Sequence, residues 1–142
     1  MDKEYNGWTN VHTWKYGLEM ELFDYEDSYL VDVFTDAMDE GIHDDMWAYR
    51  VVTAVSGYFR SFAEEMFSEA IKKMDDTIEN RYVRSEAQDA LYEAEREINW
   101  WELATHWISD REEWSDHSTE EDREWLKENF KRHVYKLAQV QA

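Results

Sequence analysis

A chain of 142 residues that contains no proline and only four glycines, at positions 7, 17, 41 and 57, lacks the two residues that most readily interrupt a helix. Long stretches of it are therefore free to be helical, and the apolar residues recur with helical rather than alternating spacing. Val11, Trp14, Leu18 and Leu22 follow Thr9-Asn10, which predicts a capped helix over 10–23. Leu30, Val31, Phe34 and Met38 predict a second helix over 27–40, started by Asp27 or Ser28 and stopped by Gly41. From Asp44 to Met74 a stripe through Trp47, Val51, Ala54, Val55, Tyr58, Phe62, Met66 and Ala70 predicts a long helix, with Gly57 as a point of kinking or division.

Residues 75–84 carry no clear pattern. Beyond them, Ser85 with Gln88, Asn99 with Glu102 and Ser118 with Glu121 place a capping residue three positions before Glu or Gln. They predict helices over 86–98, 100–109 and 119–139, the last with acids in its first turn and Lys131, Arg132 and Lys136 near its end. The expected fold is all-α: one compact domain spanning residues 1–142, a bundle of five to seven helices. Its expected core is Trp14, Leu18, Trp47, Val51, Val55, Phe62, Leu91, Leu103, Phe130 and Val134.

Charge limits function more sharply than fold. Asp and Glu number 34 against 15 Lys and Arg, for a formal net charge of -19. Direct binding to nucleic acid or to an anionic membrane needs positive potential, so neither is expected. An aromatic content of 16%, with eight Trp, argues for a folded chain rather than a disordered acidic tail. There is no Cys, which excludes disulfides, thiolate metal sites and a cysteine nucleophile. No apolar run approaches the roughly 20 residues of a membrane helix and no signal-peptide pattern opens the chain, so a cytoplasmic location is expected.

Between Lys15 and Arg50, 34 residues pass without a Lys or Arg. This window carries Glu19, Glu21, Asp24, Glu26, Asp27, Asp32, Asp36, Asp39, Glu40, Asp44 and Asp45, the candidate surface for a basic partner. Duplex DNA carries about one charge per 1.7 Å of axis. A helical face this dense in carboxylates therefore imitates a phosphate track to a nucleic-acid-binding protein; solubility alone is the competing explanation. Of the Trp residues, Trp14, Trp47 and Trp107 fall in register with apolar faces and read as core. The adjacent Trp100 and Trp101 cannot share one helix face, and with Trp114 they form a candidate interface anchor.

Catalytic signals are weak. Glu102, His106 and Asp110 recur at four-residue intervals, but no HExxH, phosphate-binding glycine loop or GxSxG accompanies them. Neither a metal nor a cofactor is expected, and the chain reads as a non-enzyme. The basic residues Lys72, Lys73, Arg81 and Arg84 read as partners for the protein's own acids.

Two segments resemble a known family. Tyr5-Asn6-Gly7-Trp8-Thr9-Asn10-Val11-His12-Thr13-Trp14 is similar to the N-terminal NG[WY]xNYETW signature of small uncharacterised proteins carried by phages, plasmids and other mobile elements. Ile98-Asn99-Trp100-Trp101-Glu102-Leu103-Ala104-Thr105-His106 resembles the (I/V)(D/N)WxEIAxH segment of the same proteins. The chain departs at Val11-His12, where the family has Tyr-Glu, and continues for 36 residues after the second motif. The resemblance carries no catalytic residues; it implies a viral or mobile-element setting. In that setting the expected function is inhibition of a basic nucleic-acid-binding host defence protein, a CRISPR effector or restriction enzyme, in the cytoplasm of the bacterial host. The alternative is a structural or regulatory interaction module, as a homodimer or with another protein, whose charge serves solubility.

Overall fold

The computed structural model describes residues 10–22, 27–40 and 43–128, and the architecture is all-α. Seven helices and no strand occur among the described residues: α1 (Val11–Glu19), α2 (Ser28–Asp39), α3 (Trp47–Thr77), α4 (Arg81–Glu97), α5 (Trp100–Ser109), α6 (Glu112–His117) and α7 (120–128). The long α3 is the axis of the bundle and packs against α2, α4 and α5. Its 31 residues span about 46 Å at 1.5 Å per residue. It runs unbroken through Gly57, where an added Cβ would meet nothing within 4 Å. No helix among the described residues is long and apolar enough to cross a membrane.

The capping signals place several helix starts correctly. Asn10 accepts from the Thr13 N–H at 2.8 Å, Asp27 from the Tyr29 N–H at 2.8 Å, and Asn99 from the Glu102 N–H at 3.0 Å. The third candidate shifts by one residue: Thr119 and Asp122 exchange hydrogen bonds at the start of α7 in a reciprocal cap. Ser85 starts nothing. It lies inside α4, which begins after Asn80, whose side chain accepts from the Val83 N–H at 3.0 Å. The α3–α4 break is only Ile78 to Asn80, and Gln88 holds the two helices together by donating to the Ile71 carbonyl and to Asp75. Arg84 also reaches Asp75, at 3.9 Å, one of the intramolecular pairings expected of the basic stretch. The stop at Gly41 and the extension of the last helix past residue 128 lie outside the described residues.

In the core, Leu30 and Phe34 of α2 meet Val51, Val52, Val55 and Phe59 of α3, and Leu103, Trp107 and Ile108 of α5. Phe34 and Phe59 both lie nearly perpendicular to the Trp107 ring, at 5.2 and 6.3 Å between ring centres. The Trp47 indole stacks on Trp114 of α6 at 5.1 Å and donates to the Met38 carbonyl at 2.8 Å, so one side chain joins three helices. Trp47, Val51, Val55 and Leu103 are buried as expected; Trp14 and Leu91 are half-buried against the core. Phe130 and Val134 lie outside the described residues.

Two expected core residues are on the surface. Phe62 is 44% exposed because α3 carries two adjacent apolar rows. Its neighbours cover the row through Val55, Phe59, Ala63, Phe67 and Ile71, one residue further round than the row through Tyr58, Phe62 and Met66. Leu18 is 52% exposed, because α1 turns Thr13, Tyr16 and Gly17 inward instead. Tyr16 packs there against Trp100 and Phe67. The buried Thr13 hydroxyl, which accepts from the Asn99 N–H of the α5 cap, fixes that rotation.

Candidate functional site

The acidic window divides into residues engaged in the protein's own structure and residues left facing solvent. Asp27 is engaged: it caps α2 and accepts from the Tyr58 hydroxyl at 3.0 Å. Asp44 is engaged as well, accepting from the Met46 N–H at 2.9 Å and pairing with Arg50 at 3.0 Å. That N–H first, and then the Arg50 guanidinium, hold its carboxyl below the usual carboxylate range. Glu19, Glu21, Asp32, Asp36, Asp39, Glu40 and Asp45 are exposed, and none takes part in an ion pair among the described residues. Asp24 and Glu26 lie outside the described residues.

On α2 the geometry is regular. Leu30, Phe34, Ala37 and Met38 turn inward, while Asp32, Asp36 and Asp39 turn outward and Glu40 follows at the C-cap. At 1.5 Å per residue, Asp32 to Glu40 covers about 12 Å of axis, an average of about 4 Å between successive carboxylates with single gaps of about 6, 4.5 and 1.5 Å. One strand of B-DNA places a phosphate about every 3.4 Å. These charges also work against the helix that carries them. The C-terminal end of a helix is negative and favours Lys or Arg, yet the last turns of α1 and α2 contain no basic residue and close on Glu19 and on Asp39-Glu40. Helix stability does not account for carboxylates placed there.

Past Asp45 the acidic surface continues onto α7 through a contact invisible in the sequence. The His43 Nε2 meets the Asp122 carboxylate at 2.5 Å across a separation of 79 residues, and its ring stacks on Trp47 at 4.1 Å. A cleft of about 340 Å³ opens there, lined by Asp44, Asp45, Glu121, Asp122, Thr119 and Trp125 together with His43. Glu121 and Asp122 thus join the acids of the 44–45 turn.

The tryptophan anchor is corrected in one member. Trp114 is 1% exposed, sealed beneath α3 by its stack on Trp47, because α6 lays its apolar side against the core; it is unavailable to a partner. Trp100 and Trp101 are half-buried and diverge as expected, Trp100 edge-on to Tyr16 at 5.2 Å and Trp101 against Tyr49 at 5.4 Å. Both line open clefts between α3, α4 and the start of α5. One, of about 550 Å³, is lined by Arg60, Glu64, Tyr92, Glu95, Arg96, Ile98 and Trp100. Its neighbour, of about 310 Å³, shares Arg60, Arg96, Ile98 and Trp100 and reaches Trp101.

The alternative metal constellation does not assemble. Glu102 is fully buried, His106 is partly buried and Asp110 is exposed, and no group of three ligating side chains occurs among the described residues.

No family model, curated protein or solved structure matches this chain. The two motif segments do meet in space. Asn10 donates through Nδ2 to the Glu97 carbonyl at 2.7 Å, and its Oδ1 accepts from both the N–H and the hydroxyl of Thr13. The Thr13 Oγ1 in turn accepts from the Asn99 N–H at 2.9 Å, in a site where Thr13 is fully buried. The first turns of α1 and α5 are thereby locked cap to cap. The residues shared by the motifs do structural work.

Proposed function

We propose that the protein is a small acidic decoy of a phage or other mobile element. It occupies the nucleic-acid-binding surface of a basic host defence protein of the CRISPR-effector or restriction-enzyme class. The carrying observation is the row Asp32, Asp36, Asp39 and Glu40, exposed, without ion pairs among the described residues and set against the dipole of its own helix. Carboxylates at an average density close to that of phosphates offer a basic groove a Coulombic partner like a strand of nucleic acid, and a net charge of -19 steers that encounter. Glu19, Glu21 and Asp45, with Glu121 of α7, extend the contact surface, while Asp122 is held by His43 and by the cap of α7.

A second reading, an interaction module anchored by aromatic residues, is favoured by Trp100 and Trp101 on their open clefts. Salt separates the two, because exposed charge pairs are screened beyond a Debye length of about 8 Å whereas apolar anchoring is not. The test is capture from a bacterial lysate on immobilised protein at low salt, with the retained proteins identified by mass spectrometry. The decoy reading expects a nucleic-acid-binding protein that is released both by raised salt and by competing duplex DNA. A partner retained at high salt and indifferent to DNA overturns it in favour of the aromatic anchor.

A further inference from the structure

In a chain so rich in carboxylates, the two arginines of the α3–α4–α5 cleft keep unused donors. Arg60 commits its Nε to Glu64 at 3.0 Å, and its terminal nitrogens make no other hydrogen bond among the described residues. Arg96 makes none there at all, although Glu95 and Glu97 flank it in the chain. Arg60 and Arg96 line the same cleft as the half-buried Trp100 and the exposed Tyr92. At about 550 Å³ the space is within the range of small-molecule sites. Guanidinium forks match the two oxygens of a carboxylate or phosphate, and an indole face suits a flat ring.

We propose that this cleft binds a planar ring bearing a single oxyanion, the oxyanion taken by Arg60 and Arg96 and the ring by Trp100. The carboxylates of Glu64, Glu95 and Glu97 around the two clefts limit the charge accepted and turn away polyanions such as nucleic acid strands. A nucleotide phosphodiester and the carboxylate of an aromatic residue share this chemistry, and the two are told apart by titration.

The intact protein is titrated with 3′,5′-cyclic AMP and with N-acetyltryptophan, each beside its uncharged counterpart, adenosine or N-acetyltryptophanamide. Binding is followed by calorimetry and by the Trp indole N–H signals in NMR. One anion is expected to saturate in the millimolar range, with its neutral counterpart about tenfold weaker, and the one that does names the source. Arg96→Gln and Arg60→Gln should each weaken it about tenfold, Trp100→Phe should remove the shifted indole signal, and Arg81→Gln, outside the cleft, should change nothing. The inference is overturned if neither anion saturates below about 10 mM, if neutral counterparts bind equally, or if both arginine variants, shown folded by circular dichroism, bind as well as the parent.

Discussion

Replacing Thr13 with valine isolates the contact that orients α1. Thr13 is fully buried, and its Oγ1 is the acceptor for the Asn99 N–H at 2.9 Å. Valine keeps the branched shape but offers no acceptor, so a buried N–H at the head of α5 loses its partner. Stranding such a group costs about 1–3 kcal/mol, and the added methyl offsets under 1 kcal/mol of it, for a net loss of about 2 kcal/mol. In a domain of this size that lowers the melting temperature by about 4–8 °C. Thr13→Ser keeps the hydroxyl and loses one methyl, for about 1 kcal/mol. Urea denaturation followed by circular dichroism should rank the parent above Thr13→Ser and Thr13→Ser above Thr13→Val, with unchanged slopes. A valine variant as stable as the serine variant would refute the claim that the hydroxyl, and not side-chain volume, sets the α1 register.

Two further outcomes are expected. Gly57 is exposed in the middle of α3 with open space around it, so Gly57→Ala should raise stability by about 0.5–1 kcal/mol; a loss in thermal melts would mean the helix needs its glycine. Burial holds the His106 imidazole below its ordinary value of 6.5, with Asp110 opposing the shift. As pH falls through that ordinary value the unfolded chain takes up the proton before the folded one, so this group erodes stability in mild acid. His106→Gln should therefore lose less stability than the parent between neutral and mildly acidic pH, and parallel curves in urea melts would contradict the assignment.

How far the sequence revealed these features depended on whether the deciding interaction was local. Asn10, Asp27 and Asn99 were legible as helix starts because a cap involves residues two or three positions apart. Ser85 misled because its pattern with Gln88 matches a cap, whereas Gln88 turns to Ile71 and Asp75 on α3. Both Arg111 before α6 and Met46 before α3 make no side-chain cap bond, and six residues are too few for a periodic stripe, so α6 left no mark. The rotations of α1 and α3 were lost because each has two apolar rows and only tertiary neighbours choose between them. The exposure of Asp32, Asp36 and Asp39 followed from their place opposite Leu30, Phe34 and Met38. The continuation of that surface through His43 to Asp122 is a contact between distant segments, which no local pattern encodes.

The most direct test of the acidic face is the triple reversal Asp32→Lys, Asp36→Lys and Asp39→Lys, assayed for capture of the DNA-displaceable partner at physiological salt. All three side chains are exposed and make no ion pair among the described residues, so the helical circular dichroism signal should remain. Each reversal turns an attraction into a repulsion inside the Debye length of about 8 Å, and retention should fall at least about tenfold. Undiminished capture by the folded triple variant would contradict the decoy account.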